Sequence, residues 1–285
     1  MDKITIAVQK KGRMSDKSLE LFKESGIRFT NGARRLIALS NDFPIRLLYL
    51  RDDDIPQYVA DGVADAGIVG ENEVLEKNRP VETALKLGFA KCRLSLAIPK
   101  ENNYPDLNWF QNKRIATSYP QILTKFLLKN SIRAEVHEIS GSVEIAPGIG
   151  LADAIFDIVS SGSTLISNGL KEVETVVKSE ALLIKNPAIN PAKQELLNQL
   201  IFRFDAAMAA ENNKYILLNA PNDKLEHIIE LIPGMKSPTV VPLAEEGWSS
   251  VHSVVNENKF WQVIDQLKSA GAQGILVTSL EKMIV

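Results

Sequence analysis

Near the middle of the chain, four hydroxyl side chains and one glycine occur in five consecutive residues, the run from Ser160 to Thr164. Gly162 permits a tight turn without a Cβ clash, and backbone N–H groups at the start of a helix bind phosphate together with hydroxyl donors. Asp157, three residues upstream, can accept hydrogen bonds from ribose hydroxyls. The combination indicates a ribose 5-phosphate site, although an ordinary solvated turn with Thr164 as a helix cap has the same composition.

Other chemical motifs in the sequence are weaker. Gly148 to Asp153 imitates the start of a dinucleotide-binding G-x-G-x-x-G motif, but Asp153 replaces its third glycine and would repel a pyrophosphate. The three histidines, His137, His227 and His252, have no metal-ligand spacing and are expected to be structural. No serine-nucleophile elbow and no zinc motif occurs.

The stretch from Glu144 to Leu165 resembles the signature of the ATP phosphoribosyltransferase family, a glutamate followed at fixed spacing by a glycine, an aspartate and Ser-Gly-x-Thr-Leu. The resemblance covers essentially the full chain, with further landmarks at residues 10–13, 34–38, 51–56 and 67–72. It implies that the loop binds phosphoribosyl pyrophosphate. The substrate-binding residues it implies are Glu144, Asp153, Asp157, Ser160, Ser161, Gly162, Ser163, Thr164, Leu165, Arg35 and Arg51.

The same resemblance implies the first step of histidine biosynthesis: N1 of ATP displaces pyrophosphate from the anomeric carbon, with Mg²⁺ as cofactor. Because N1 carries a lone pair, no general base is needed, and the protein aligns two anionic substrates. Asp157, Arg13 and Lys10 are the expected catalytic residues. The metal ligands stay open, since Asp52, Asp53 and Asp54 precede a helical pattern, where the last two are expected to cap the helix instead.

Apolar periodicity and chain breakers predict an α/β protein with two lobes and a cleft. Strands are predicted at 3–8, 35–40, 44–51, 66–69, 92–98, 114–118, 134–139, 173–178 and 181–186. Helices are predicted at 15–25, 54–63, 71–78, 121–130, near 151–160, and 190–213. The first lobe would comprise 1–92 with a return segment at about 180–212, and the second lobe 93–179. By resemblance, this two-lobed catalytic region is periplasmic-binding-protein-like.

Residues 213–285 show the pattern βαββαβ, which is typical of a ferredoxin-like domain. The long form of the family carries a regulatory domain here, and its Gly-x-x-Ser-Pro-Thr-Val stretch matches Gly234 to Val240. The resemblance therefore implies feedback inhibition by histidine, although a plain loop-to-strand turn is the alternative. The implied histidine-binding residues are Asn219, Met235, Ser237, Thr239 and Ala272.

Composition limits the partners of this 285-residue chain. Its formal net charge of −2 gives no reason to expect nucleic acid or an anionic membrane as a partner. A single cysteine, Cys92, and the absence of a signal-peptide pattern favour the cytoplasm. The family resemblance implies a homo-oligomer, from a dimer to a hexamer. A solute-binding protein and a purely regulatory module remain the alternative classes.

Overall fold

The computed structural model describes residues 3–30 and 36–284. The chain divides into two compact units, Met1–Leu19 with Arg28–Leu197, and Glu20–Ile27 with Asn198–Val285. The first unit contains a seven-stranded and a five-stranded sheet, and the second contains a separate four-stranded sheet. This arrangement confirms the expected fold class, a two-lobed α/β region followed by a C-terminal domain of its own.

The first lobe is formed mainly by residues before the first long strand of the second sheet. Its elements are β1 (Ile4–Gln9), α1 (Arg13–Glu24), β2 (Phe29–Thr30), β3 (Ile37–Ser40), β4 (Ile45–Leu50), α2 (Ile55–Ala60), β5 (Ala66–Gly70), α3 (Glu71–Lys77) and β6 (Glu82–Lys86). The sequence patterns did not predict β6, whose side chains are all at least partly exposed and therefore show no apolar alternation.

The second lobe follows, and the chain then leaves it through a further strand and a long helix. The elements are β7 (Cys92–Pro99), β8 (Arg114–Thr117), α4 (Pro120–Lys129), β9 (Glu135–Glu138), β10 (Ala154–Val159), α5 (Ser163–Ser167), β11 (Leu170–Ser179), β12 (Ala181–Lys185) and α6 (Pro191–Glu211). The long helix thus has nearly the predicted bounds.

Strand order shows how the chain crosses between the two lobes. The first sheet has the order β2-β3-β4-β1-β5-β12-β6, and the second has the order β11-β7-β10-β8-β9. Strand β12 therefore returns to the first sheet, where it lies antiparallel to β5, as the return segment requires. Strand β11, in contrast, pairs with β7 and remains in the second lobe.

Strand β5 is the central buried element of the first lobe. All five of its residues are buried, as expected for a strand that is covered on both faces. At Gly67 a Cβ atom would lie 2.6 Å from Cγ2 of Ile55 and 3.0 Å from Cγ2 of Val59. This glycine is therefore what lets α2 pack directly on the sheet.

The predicted helix near 151–160 is wrong, because Ala154–Val159 forms strand β10. The alanines at 152 and 154 favour a helix locally, but Ile155, Ile158 and Val159 are β-branched, and tertiary pairing decides the outcome. β10 lies between the parallel strand β8 and the antiparallel strand β7. The hydroxyl-rich loop consequently follows a strand, and it leads into α5.

The C-terminal unit has the predicted βαββαβ order. Its elements are β13 (Asn213–Pro221), α7 (Leu225–Leu231), β14 (Thr239–Pro242), β15 (Trp248–Asn256), α8 (Glu257–Ser269) and β16 (Gln273–Ser279). The sheet order β14-β15-β13-β16, with every pair antiparallel, is that of a ferredoxin-like domain. No helix among residues 3–30 and 36–284 has the length and apolar character needed to span a bilayer.

Candidate functional site

A small cavity lies at the carboxyl end of β10, where open α/β sheets bind ligands. Its volume is about 150 Å³, and we call it the loop cavity. It is lined by Glu144, Ile155, Asp157, Ile158, Val159, Ser160, Ser161, Gly162, Thr164 and Leu165. The structure thus brings together most of the residues in the sequence-predicted loop, with two carboxylates and several hydroxyls around one space.

The turn between β10 and α5 depends on Gly162. This residue has a φ of +81°, a left-handed conformation that an L side chain rarely adopts. It directly precedes α5, whose first N–H groups have no partners within the helix. The side chain of Ser163 does not line the loop cavity, and its Oγ lies 2.9 Å from Oγ of Ser161. Ser163 therefore supports the loop from outside the cavity.

Asp157 is held at the end of β10 with its carboxylate against the loop cavity. Its Oδ1 accepts hydrogen bonds from the backbone N–H of Ile158 at 2.8 Å and from Ser118 Oγ at 3.5 Å. Burial raises the pKa of Asp157, and the negative charge of Glu144 raises it further, whereas the two hydrogen bonds lower it. Keeping this carboxylate charged in the site therefore costs free energy, and a ligand that donates hydrogen bonds from hydroxyl groups would reduce that cost.

A larger cavity of about 700 Å³ lies between the two lobes of the first unit, and we call it the cleft cavity. It is lined by Gln9, Arg13, Met14, Asp16, Lys17, Asp52, Gly70, Asn72, Glu73, Phe89, Ala90, Lys91, Cys92, Ile158 and Ser160. Two of these residues, Ile158 and Ser160, also line the loop cavity. The two cavities therefore adjoin at the end of β10.

The wall that the first lobe contributes to the cleft cavity carries two neighbouring carboxylates, Asp52 and Glu73. Burial raises the pKa of Glu73, and the charge of Asp52 adds to that rise. Glu73 Oε1 accepts a hydrogen bond from Asn72 Nδ2 at 3.0 Å, and Asn72 Nδ2 also donates to the hydroxyl of Tyr119 at 3.2 Å. The sequence analysis did not single out Glu73, because the family landmark at residues 67–72 ends one residue before it.

The basic residues that were predicted to bind phosphate differ in their position relative to the cleft cavity. Arg13 lines the cleft cavity, whereas Lys10 and Arg51 do not. Lys10 and Arg51 follow the paired ends of β1 and β4, and Arg51 Nε donates to Asp53 at 3.1 Å. Arg35 lies outside the described residues.

The expected caps at Asp53 and Asp54 are absent. Neither the short 3₁₀ turn at Asp52–Asp54 nor α2 has a side-chain cap hydrogen bond. The carboxylate of Asp53 instead lies near Arg51 and, at 3.8 Å, near Lys77. The side chain of Asp53 therefore forms ion pairs and does not cap a helix.

Asp153 is not brought to the loop cavity. It precedes β10, at the opposite end of the strand from Asp157, and it does not line the cavity. Its carboxylate accepts hydrogen bonds from Arg114 Nη2 at 3.1 Å and from the Arg114 backbone N–H at 2.9 Å. These contacts lower the pKa of Asp153. We therefore remove it from the candidate substrate-binding set, because its sequence proximity to Asp157 does not become spatial proximity along an extended strand.

The candidate histidine-binding residues form two groups within the C-terminal unit. Thr239 begins β14, with Met235 and Ser237 just before it, whereas Ala272 directly precedes β16. β14 and β16 are opposite edges of the four-stranded sheet, three strand spacings or roughly 14 Å apart. Asn219, on β13 between these edges, pairs with Gln273 of β16 and with Ser250 of β15. One unit alone therefore does not bring all five residues to one ligand.

No group of three or more His, Cys, Asp and Glu side chains among the described residues has the geometry of a metal site. The three histidines lie in regular elements, His137 in β9, His227 in α7 and His252 in β15.

Two family models match the chain. Residues 51–206 match the model described as ATP phosphoribosyltransferase, and residues 210–282 match the model described as the HisG C-terminal domain. Together the matches cover the second lobe, much of the first and the ferredoxin-like domain. The family that the loop residues resemble is thus also the family whose models match most of the chain.

Relatives and a solved structure agree with these matches. An ATP phosphoribosyltransferase of Bacteroides thetaiotaomicron is 60% identical over 282 residues, 99% of this chain and 100% of the relative. The enzyme of the same name from Cytophaga hutchinsonii is 55% identical and covers 99% of this chain and 98% of the relative. A chain of the Thermotoga maritima ATP phosphoribosyl transferase (HisG:HisZ) complex superposes with a TM-score of 0.62 and 28% identity, over 70% of this chain and 95% of that chain. The chain therefore belongs to the ATP phosphoribosyltransferase family, in its long form with a C-terminal domain.

Proposed function

We propose that phosphoribosyl pyrophosphate binds with its ribose 5-phosphate in the loop cavity while ATP occupies the cleft cavity. The protein would then transfer the phosphoribosyl group to N1 of ATP, the first step of histidine biosynthesis, and release pyrophosphate. The observation that carries this proposal is that Ile158 and Ser160 line both cavities, so a ribose carbon and an adenine nitrogen can meet there. Holding two reactants at contact distance removes much of the entropic barrier to a bimolecular reaction.

In this assignment, Asp157 accepts hydrogen bonds from the ribose hydroxyls. Ser161, Gly162 and Thr164 present N–H and hydroxyl donors to the 5-phosphate, and Glu144 adds a second carboxylate to the loop cavity. Because the anomeric carbon gains positive character as pyrophosphate leaves, fixed carboxylates near the ribose stabilise the transition state more than the ground state. Neither a covalent nucleophile nor a general base is required.

The phosphates of both substrates need cations at the cleft. Arg13 lines the cleft cavity beside Lys17 and Lys91. Lys10 and Arg51, at the adjoining ends of β1 and β4, are long side chains that we assign to phosphate oxygens once substrate is bound. Their charge offsets the acidic residues of the same wall, so that two polyanions can bind side by side.

Mg²⁺ fits the carboxylates that the cleft cavity offers. Asp52 and Glu73 lie close enough that the charge of Asp52 raises the pKa of Glu73, and a divalent cation would relieve that repulsion. We propose that these two residues hold Mg²⁺ together with substrate oxygens. When bound, the metal would neutralise negative charge on the departing pyrophosphate.

We further propose that free histidine inhibits the enzyme through the C-terminal unit of a homo-oligomer. Thr239 and Ala272 lie at opposite edges of one sheet. A histidine molecule that contacts residues of both groups must therefore lie between two copies of the unit. The regulatory site would then form only in the oligomer, from a dimer to a hexamer. Histidine should therefore change both the activity of the enzyme and the mass of the oligomer, which light scattering measures. We place the enzyme in the cytoplasm, where its lone Cys92 stays reduced.

The nucleophile can be tested with ATP analogues. With phosphoribosyl pyrophosphate and ATP, mass spectrometry should find a product carrying one added phosphoribosyl group. An analogue with carbon in place of N1, 1-deaza-ATP, should give no such product, whereas 7-deaza-ATP, which keeps N1, should react. Equal reaction of both analogues would exclude N1 as the attacking atom.

A further inference from the structure

Arg93 joins three elements of the second lobe. It lies on β7, which pairs with β10 on one side and with β11 on the other. Its Nε and Nη2 atoms donate to the two carboxylate oxygens of Glu172 on β11. Its Nη1 atom donates to the backbone carbonyl oxygen of Ser160 at 3.1 Å. One guanidinium therefore links a fixed carboxylate to the first residue of the hydroxyl-rich loop.

The carboxylate that orients Arg93 is itself fixed. Glu172 Oε1 accepts hydrogen bonds from Ser95 Oγ at 2.7 Å and from Thr175 Oγ1 at 3.2 Å. With the Arg93 contacts, these bonds hold the pKa of Glu172 at about 2. Glu172 therefore stays charged at neutral pH, and its fork-to-fork contact fixes the plane of the guanidinium.

The contact with Ser160 sets the direction of a loop N–H group. The peptide bonds between described residues include no cis bond, so the carbonyl of Ser160 and the N–H of Ser161 point in opposite directions. Because the carbonyl faces Arg93, the N–H of Ser161 faces away from Arg93. Ser160 and Ser161 line the loop cavity, whereas Arg93 lines a neighbouring cavity of about 360 Å³ that it shares with Ser160.

We propose that Arg93 is a positioning residue, which turns the Ser160–Ser161 peptide so that the Ser161 N–H points at the 5-phosphate. The proposal rests on the assignment of the loop cavity to ribose 5-phosphate. In this proposal Arg93 acts through the peptide: its charge is paired with Glu172, and three of its five N–H groups are engaged, two by Glu172 and one by the Ser160 carbonyl. A preset N–H donor is worth more than one that must rotate on binding, because no reorganisation is needed.

Strand β8, on the other side of β10 from β7, offers a matched control. Arg114 repeats the pattern at the opposite end of β10, since it contacts the carboxylate of Asp153 and donates from Nη1 to the backbone oxygen of Gly150 at 3.0 Å. Neither Asp153 nor Gly150 lines the loop cavity. Replacing either arginine by lysine keeps the charge but removes the fork, so both variants lose similar structural contacts.

The test is calorimetric titration of ribose 5-phosphate into the full chain and its variants, together with Michaelis constants for both substrates. Arg93→Lys should bind ribose 5-phosphate about tenfold more weakly, about 1.4 kcal/mol, and raise the Michaelis constant for phosphoribosyl pyrophosphate but not for ATP. Arg114→Lys should leave both quantities at wild-type values, even where its melting temperature falls. Glu172→Gln, which keeps the side-chain size, should weaken binding in the same direction and serves if Arg93→Lys does not fold.

The outcomes separate this inference from the proposed function. Unchanged affinity in both Arg93→Lys and Glu172→Gln, or equal weakening in Arg114→Lys, would overturn the role of Arg93. A wild-type chain that does not bind ribose 5-phosphate would overturn it too. If the wild-type chain binds this ligand and Arg93→Lys weakens it, but no transfer to ATP occurs, the positioning role stands and the assigned reaction fails.

Discussion

The carboxylates of Glu144 and Asp157 line the same cavity of about 150 Å³, and the charge of Glu144 helps burial to raise the pKa of Asp157. A carboxyl group whose pKa is higher in the folded protein than in the unfolded chain destabilises the fold at neutral pH. That penalty disappears as the pH falls below the unfolded value. Two neighbouring carboxylates that lower the stability of the folded protein in this way are typical of a functional site.

Asp157→Asn should therefore lower activity without lowering stability. The amide keeps the size of the side chain but loses its charge and half its acceptor capacity, so kcat/KM should fall roughly tenfold to a hundredfold. The melting temperature of the ligand-free protein should stay or rise at pH 7, with the difference from wild type shrinking toward low pH.

Asp153→Asn is the control for that experiment. Because Arg114 lowers the pKa of Asp153, this variant should lose stability at neutral pH while its kcat/KM stays near that of the wild type. Wild-type kcat/KM in Asp157→Asn, or a large loss in Asp153→Asn, would contradict the placement of the site.

Thr164→Ala should weaken the binding of phosphoribosyl pyrophosphate. Thr164 lines the loop cavity, and a hydrogen bond to a charged group contributes roughly 1.5–3 kcal/mol, so the Michaelis constant for this substrate should rise about tenfold or more. Ser167→Ala is the control on the same helix, because Ser167 is the last residue of α5, is exposed and does not line the loop cavity. Steady-state kinetics in which both variants behave alike would remove Thr164 from the site.

The sequence predicted the loop residues but not the element that carries them. A motif is read from residue types in order, and the run from Ser160 to Thr164 therefore remained recognisable although the preceding segment was assigned to a helix. β10 is a strand because β7 and β8 flank it, a nonlocal pairing that local propensity does not contain. For the same reason Asp153, near Asp157 in sequence, could not be excluded before the strand was known.

The C-terminal unit was the most predictable part of the fold. Its strands and helices are short, alternate regularly and pair antiparallel, so the order βαββαβ followed from the pattern. What the pattern could not show is that β14 and β16 occupy opposite edges of the sheet. The separation of Thr239 from Ala272 is a property of strand order, which a linear sequence does not display.

Glu172 should stabilise the protein in a defined pH range. Its pKa in the folded protein, about 2, lies below the ordinary glutamate value of 4.5 that applies to the unfolded chain. The stabilisation is therefore complete above about pH 4.5 and is lost as the pH falls toward 2. Urea unfolding of wild type and Glu172→Gln should show a stability difference at pH 7 that declines across this window; a difference that is independent of pH would contradict the pairing with Arg93.

Thr239→Arg should relieve inhibition by histidine while leaving basal activity near wild type. Thr239 is exposed at the start of β14, so a larger side chain fits the fold but fills the space that an amino-acid ligand would occupy there. A coupling of about 1–3 kcal/mol between the sites would change apparent substrate affinity roughly 5- to 150-fold. Activity assays across a histidine series measure this directly, and inhibition at wild-type histidine concentrations would place the regulatory site elsewhere.

The most direct test of the two-cavity account is pyrophosphate release by the wild-type chain, with ATP and phosphoribosyl pyrophosphate supplied together and each alone. A ribosyl donor in the loop cavity and a nucleophile in the cleft cavity are both needed for the displacement. We predict pyrophosphate release with the pair and none above background with either substrate alone. Release from phosphoribosyl pyrophosphate without ATP, or no release with both substrates and Mg²⁺ present, would contradict the account.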